Sequence, residues 1–245
     1  MDLASIHRVG ALIPCTNAMI EPELNRFLPE HYQLYVSRLR MGPIDERGWR
    51  MQDADIDYQA RLLGSVNVGY VFLAQTNASF FAPRYDETVT QRILNASGAP
   101  AAATCGQLTA RAMKALGARR IAFISPYSDA LNEMGRRYYQ DAHGLEVVVI
   151  DNYGQPATSD AVNDILPEAA TAALKRANRA EVEGFIVAGG ALPTLHLIDS
   201  WERSLGKPVV TTNQVAMWAI LGAFGRRETL AGLGRLLALE SGEHQ

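Results

Sequence analysis

Cysteine is scarce in this 245-residue chain: Cys15 and Cys105 are the only two, too few for a disulfide framework. Charge of one sign is missing as well. Twenty-three Lys and Arg against 26 Asp and Glu leave a formal charge of −3, spread along the chain, which gives no electrostatic footprint for nucleic acid or an anionic membrane surface. Apolar stretches are broken by Gly, Asn, Gln or a charge within about ten residues, short of the ~20 that a bilayer span requires. The opening MDLASIHRVGALIPC has a short apolar run without a small-residue cleavage site, so the expected location is the reducing cytoplasm. Signature motifs are absent too: there is no GxxxxGK[ST], no GxGxxG after a strand, no GxSxG and no HExxH, which removes the usual nucleotide, elbow-serine and zinc chemistries. His7, His31, His143, His196 and His244 lack ligand spacing, so neither metal nor cofactor is expected.

What is present is ordinary globular composition, 48% apolar and 20% charged, enough for one large domain or two packed half-domains. Short β-branched and aromatic runs predict strands at Val9–Pro14, Tyr32–Arg40, Gly69–Ala74, Ala101–Thr104, Arg120–Ser125, Leu145–Asp151, Gly184–Ala188 and Val209–Thr212. Between them, amphipathic spacing predicts helices at Glu21–Leu28, Trp49–Ser65, Asp86–Ser97, Gln107–Leu116, Asp129–His143, Pro167–Asn178, Leu192–Leu205 and Val215–Phe224, with a last one at Leu230–Leu239. This alternation is the pattern of βαβ units and parallel sheets.

Periodicity alone does not separate a closed barrel from open sheets, but an internal repeat does. Residues 11–21 (ALIPCTNAMIE) align with 123–133 (FISPYSDALNE), with proline, hydroxyl, short acid or amide, alanine and glutamate in register. Val71-Phe72-Leu73-Ala74 matches Phe185-Ile186-Val187-Ala188, and Thr104-Cys105-Gly106-Gln107 matches Thr211-Thr212-Asn213-Gln214. The expected fold is therefore α/β: two pseudo-symmetric flavodoxin-like halves, residues 1–110 with 221–245 and residues 111–220, each a mostly parallel sheet of about four strands flanked by helices.

Ligands of such sheets bind beyond the carboxyl ends of the strands. Those ends carry small and neutral polar residues: Cys15-Thr16-Asn17, Gln75-Thr76-Asn77, Thr104-Cys105, Tyr127-Ser128, Gly189-Gly190 and Asn213. Backbone, hydroxyl and amide donors at helix starts bind anions without a counter-charge, and the same residue types also serve simply as helix caps. Taken as a group in matched halves, they predict a pocket for one or two carboxylates, that is, for a small mono- or dicarboxylic acid. Arg38, Arg40 and Arg50 flank a loop that could close over an anion, although surface charge is the commoner explanation for such arginines. His196 lies two helical turns beyond Ala188, and Trp201 and Trp218 fall at core spacing.

The blocks Ile13-Pro14-Cys15-Thr16-Asn17, Ala74-Gln75-Thr76-Asn77-Ala78-Ser79-Phe80, Gly117-Ala118-Arg119-Arg120-Ile121, Pro126-Tyr127 with Asn132-Glu133, Gly189-Gly190-Ala191-Leu192-Pro193-Thr194 and Asn213-Gln214 through Trp218 resemble the aspartate/glutamate racemase superfamily. Within it, the chain is most similar to the maleate isomerase and arylmalonate decarboxylase branch. The resemblance implies cofactor-free isomerase or lyase chemistry at the carbon next to a carboxylate, a homo-oligomer, and a cysteine from each half beside the substrate. It places Gln75, or its neighbour Ala74, at the first of those cysteine positions and Ala188 at the second. It also implies that Thr76, Asn77 and Tyr127 hold a carboxylate or enediolate, and that Asn17 and Asn213 contact carboxylate, with Thr16, Ser128, Gly189 and Gly190 completing the binding set. Four accounts follow. The scaffold runs its reaction with water or Tyr127 in the proton role, or the thiol has moved to Cys15 or Cys105, or Ala188 replaces a former cysteine, or the chain binds small acids without catalysis.

Overall fold

The computed structural model describes residues 6–225 and 228–239; the parts of the first predicted half-domain at 1–5, 226–227 and 240–245 lie outside them. Strands β1 (His7–Pro14), β2 (Tyr32–Leu39), β3 (Tyr70–Leu73) and β4 (Ala102–Thr104) form one sheet in the order β2-β1-β3-β4. Strands β5 (Arg120–Ser125), β6 (Glu146–Asn152), β7 (Gly184–Val187) and β8 (Val209–Thr211) form the other, β6-β5-β7-β8. Every pairing within these sheets is parallel. The identical order in both halves is the structural counterpart of the sequence repeat, and it puts the switch point of each sheet between its first and third strands.

Alternation along the strands sorts side chains onto two faces. Val9, Ala11 and Ile13 of β1, with Tyr70 and Phe72 of β3, enter a core shared with Phe123, Phe185 and Val209 of the second half. Leu12, Val71 and Leu73 point the other way, into a separate cluster with Ile56, Ala60, Val89 and Ile93, carried by α3 (Ile56–Gly64) and α4 (Tyr85–Ser97). Helices α5 (Cys105–Ala115) and α9 (Thr212–Ala223) follow the last strand of each sheet and pack on one another. Both start at a threonine whose Oγ1 accepts an N–H three residues on, Thr104 from Gln107 and Thr211 from Gln214. Residues 212–221 of α9 are buried all round, as a helix apolar on every side must be.

Three predicted helices differ. The expected Trp49–Ser65 helix is two, α2 (Glu46–Asp53) and α3, because the Asp55 carboxylate at the break is drawn out to accept from the backbone N–H and guanidinium of Arg40. The Asp129–His143 helix is α6 (Asp129–Arg137) followed by a π turn over Tyr138–Ala142; there the Tyr138 hydroxyl donates to Asp86 at 2.6 Å while Tyr139 is fully buried. The last helix shrinks to α10 (Arg235–Ala238), since Gly232 and Gly234 hold φ +81° and +88°, left-handed values that stop a right-handed helix. The remaining helices are α1 (Ile20–Phe27), α7 (Pro167–Ala177) and α8 (Leu195–Leu205). After α9 the chain touches both halves: Glu228 meets His31 at 2.8 Å, and the Leu233 carbonyl accepts from Gln214 Nε2. Among the described residues no helix is long and apolar enough to cross a membrane.

Candidate functional site

A cleft opens where the two switch points face each other, past the carboxyl ends of β1, β3, β5 and β7. The segments that enter it are Pro14 with Thr16-Asn17, Ala74 to Asn77, Pro126-Tyr127 and Gly189-Gly190-Ala191. Two further loops, Met41 to Ile44 after β2 and Ser159 to Val162 after β6, roof it. They meet across the cleft: Pro43 bridges Thr158, the Ser159 hydroxyl donates to the Gly42 carbonyl, and the Ser159 and Thr16 hydroxyls are 2.8 Å apart. The cleft volume is about 60 Å³, which at ~10–15 Å³ for one water is room for a handful of heavy atoms. No charged side chain is among the described residues that line it.

Each wall is held from behind. Asn17 Oδ1 accepts the Met19 and Ile20 N–H groups at the start of α1, so its amide nitrogen is the free end, and that nitrogen lies 3.2 Å from where a Cβ on Gly190 would sit. The opposite neighbour of that point, also at 3.2 Å, is Asn213 Oδ1, whose own nitrogen donates to Glu23 Oε2 and the Leu192 carbonyl. Glu23 reaches over from α1 in the first half. Its other oxygen accepts the Thr194 and Leu195 N–H groups at the start of α8, both at 2.7 Å. Burial raises its pKa against the pull of these three partners and of nearby His196. The Tyr153 hydroxyl donates to the Ala188 carbonyl, fixing the turn in which Gly189 takes φ +106°. Across the seam, the Thr76 and Thr212 hydroxyls meet at 2.9 Å. Gln75 Nε2 donates to Asn77 Oδ1 at 2.7 Å, and Gln75 Oε1 is buried with no partner.

Of the residues singled out in the sequence, Thr16, Asn17, Gln75, Thr76, Asn77, Tyr127, Gly189 and Gly190 converge on the cleft. Four others stand outside its lining. Cys15 is exposed, because it sits one residue past β1 between two residues that turn inward. Ala188 is 1% exposed, its amide and carbonyl both engaged. Ser128 caps α6 by accepting the Leu131 N–H, and Asn213 lies behind Gly190. Cys105 is fully buried and desolvation holds its thiol well above the ordinary value, so it stays protonated. Tyr127 is likewise shifted up, by burial and by Cys105: it keeps its proton and can donate rather than accept one. The arginines do not roof the site. Arg40 and Arg50 are in surface pairs with Asp55 and Glu46, and Arg38 binds the Asn17 carbonyl and Glu21. The sequence reading missed Met41, Ile44, Ser159, Val162, Glu23 and Tyr153; the roofing loops could have been found from their matched positions after β2 and β6. Among the described residues no group of His, Cys, Asp and Glu is placed to hold a metal ion.

A family model described as arylmalonate decarboxylase matches residues 9–237. The chain belongs to that family. It is 25% identical over 245 residues to the arylmalonate decarboxylase of Bordetella bronchiseptica, covering 96% of this chain and 98% of that one. Among solved structures, a maleate isomerase from Pseudomonas putida with maleate superimposes with a TM-score of 0.88 at 24% identity, over 95% of this chain and 98% of that one. A maleate cis-trans isomerase from Nocardia farcinica, carrying a covalently bound succinylcysteine intermediate, gives 0.87 at 22% identity over the same shares. The two-sheet fold of this family member is therefore that of the maleate isomerases.

Proposed function

We propose that this family member is a cofactor-independent isomerase or decarboxylase acting at the carbon next to a carboxylate of a small acid, with catalytic residues unlike those of its relatives. The observation that carries the reading is the cleft lined by neutral polar groups from both halves, in a family whose relatives transform malonates and maleate. Stabilising the charge that develops on an enediolate oxygen is commonly the largest catalytic contribution. In a decarboxylation, the bond to one carboxylate breaks, carbon dioxide leaves, and the electron pair forms an enediolate that Thr76, Asn77 and the backbone N–H groups around them would hold. A proton then adds to the α-carbon, and Tyr127, kept protonated by burial, is the group suited to deliver it. The Nocardia relative works through a cysteine adduct; here Gln75 and Ala188 stand at the positions expected for thiols, which favours proton transfer over thiolate addition.

One observation favours a second reading, a binding protein without catalysis: neither Gln75 nor Ala188 has a side chain that ionises near neutral pH and could serve as acid or base, and Cys105 is buried and protonated. Proton NMR in deuterated water with maleate, malonates and aspartate separates the two. Exchange at Cα, loss of carbon dioxide or double-bond isomerisation supports the enzyme; tight binding with none of these leaves the binding protein. Ala188→Cys should create or greatly increase decarboxylation of an aryl- or alkenylmalonate if the rest of the cleft is catalytically competent. If Cys15→Ser abolishes a wild-type activity without weakening binding, the thiol has moved to Cys15.

A further inference from the structure

We propose that the cleft selects acids bearing one carboxylate and one carboxamide, and that Gln75 and Asn77 are the pair that reads the amide. The proposal rests on the small-acid reading above and adds which acids fill the site. Both side chains line the cleft and are more than nine-tenths buried, Gln75 at 7% and Asn77 at 4% exposure. Their one mutual hydrogen bond, Gln75 Nε2 to Asn77 Oδ1 at 2.7 Å, consumes one donor and one acceptor. Gln75 Oε1 is left buried without a partner, and Asn77 Nδ2 makes no hydrogen bond among the described residues.

The conclusion does not depend on which end of each amide is oxygen. Turning both amides over keeps a bond between them and again leaves one acceptor and one donor spare. A ligand must therefore offer a donor and an acceptor together. A carboxamide does so. A carboxylate has only acceptors, so it satisfies the spare N–H while its second oxygen is set against the spare carbonyl, and leaving a buried acceptor unanswered is costly. Among the described residues, the only other hydrogen-bond acceptor for Gln75 Nε2 is the Met41 sulfur at 3.8 Å, a weak acceptor that does not relieve Oε1.

The test is calorimetric titration of the wild-type protein at pH 7 with matched pairs: malonate against its monoamide, maleate against its monoamide, succinate against its monoamide. One unanswered buried polar group corresponds to about a tenfold difference, so the monoamide should bind about tenfold or more tightly than the diacid in at least one pair. Gln75→Leu, which keeps the bulk and removes the amide, should bring that pair to within about twofold on the same reasoning. Should the variant not fold, a wild-type pH series replaces it. A protonated carboxyl presents the same donor and acceptor as a carboxamide, so diacid affinity should climb toward acid pH while monoamide affinity stays flat until its own carboxylate titrates. Diacids binding as tightly as monoamides throughout, or a preference that survives Gln75→Leu, overturns the proposal. If diacids are bound and transformed while monoamides neither bind nor compete, the proposed function stands and this selectivity falls. If no acid of either kind binds, both fall together.

Discussion

Gly189 and Gly190 form the floor of the cleft, and a methyl group fits at neither. At Gly190 it would lie 3.2 Å from both Asn17 Nδ2 and Asn213 Oδ1, closer than most Cβ contacts, with Thr212 Cγ2 at 3.3 Å. These neighbours belong to anchored side chains, so the expected cost of Gly190→Ala is about 1–3 kcal/mol of stability together with loss of ligand binding, because the amide ends that flank the site are pushed apart. At Gly189 the clash is with the Tyr153 hydroxyl at 2.2 Å and φ is +106°, so overpacking and backbone strain combine. Gly189→Ala should be the more destabilising of the two, as read from urea midpoints, whereas Gly190→Ala should show the larger loss in a ligand thermal-shift titration relative to its stability change. Most of the ring around the cleft was legible from sequence, since Thr16, Asn17, Gln75 to Asn77, Tyr127 and the glycines all follow strand ends. Which member of a strand end turns inward was not. Cys15 and Ala188 sit in those ends, yet backbone direction one residue past a strand sends the first outward and seals the second behind the wall.

Glu23 ties the elements that place these groups. It sits in the first turn of α1, yet its carboxylate caps α8 in the other half and fixes the hand of Asn213. Strand positions were legible because their apolar runs have one solution in a sheet buried on both faces, and Arg120–Ser125 was located residue for residue. The start of α8 at Leu195, three residues later than the pattern suggests, and the role of Glu23 were not, because both depend on a contact 171 residues away. That contact makes a pH prediction. Burial raises the Glu23 pKa above the ordinary 4.5, so the carboxyl binds a proton more readily folded than unfolded, and stability from this group is fully present below pH 4.5 and lost as pH rises through the folded value. Glu202 is shifted the same way by burial, and its contribution cancels when wild type is compared with Glu23→Gln. The stability difference, wild type minus variant, should therefore fall as pH rises above 4.5 through the raised folded value, with a slope of up to about 1.4 kcal/mol per pH unit. Urea unfolding at several pH values reads it, and a difference flat with pH would show that Glu23 is not shifted in the folded protein.

Two repeated halves could unfold one after the other, but the way the molecule is joined argues for one event. The main core runs without interruption from Val9 and Ile13 of β1 to Val187 and Val209 of the second sheet, so neither half can open without exposing the apolar face of its neighbour. Helix α9 has no solvent side over residues 212–221; it follows β8 in sequence and yet packs on α5 and α1 of the first half. The polar seam adds Thr76 with Thr212, Glu23 with Asn213 and α8, and Asp86 with Tyr138. Removing one half would leave Glu23, Asp86 and their partners buried or stranded without their hydrogen bonds, at a cost of about 1–3 kcal/mol each. Tryptophan is distributed so that this can be tested: Trp49 reports from α2 in the first half, and Trp201 and Trp218 report from α8 and α9. In a Trp49→Phe variant, fluorescence follows the second half, and in a Trp201→Phe/Trp218→Phe variant it follows the first. Within each variant the fluorescence transition in urea should coincide with the loss of far-ultraviolet circular dichroism, which sees both halves, as a two-state process requires. A fluorescence midpoint separated from the dichroism midpoint in either variant would mean that the halves unfold independently, and that the shared core contributes less to holding the cleft together than its continuity implies.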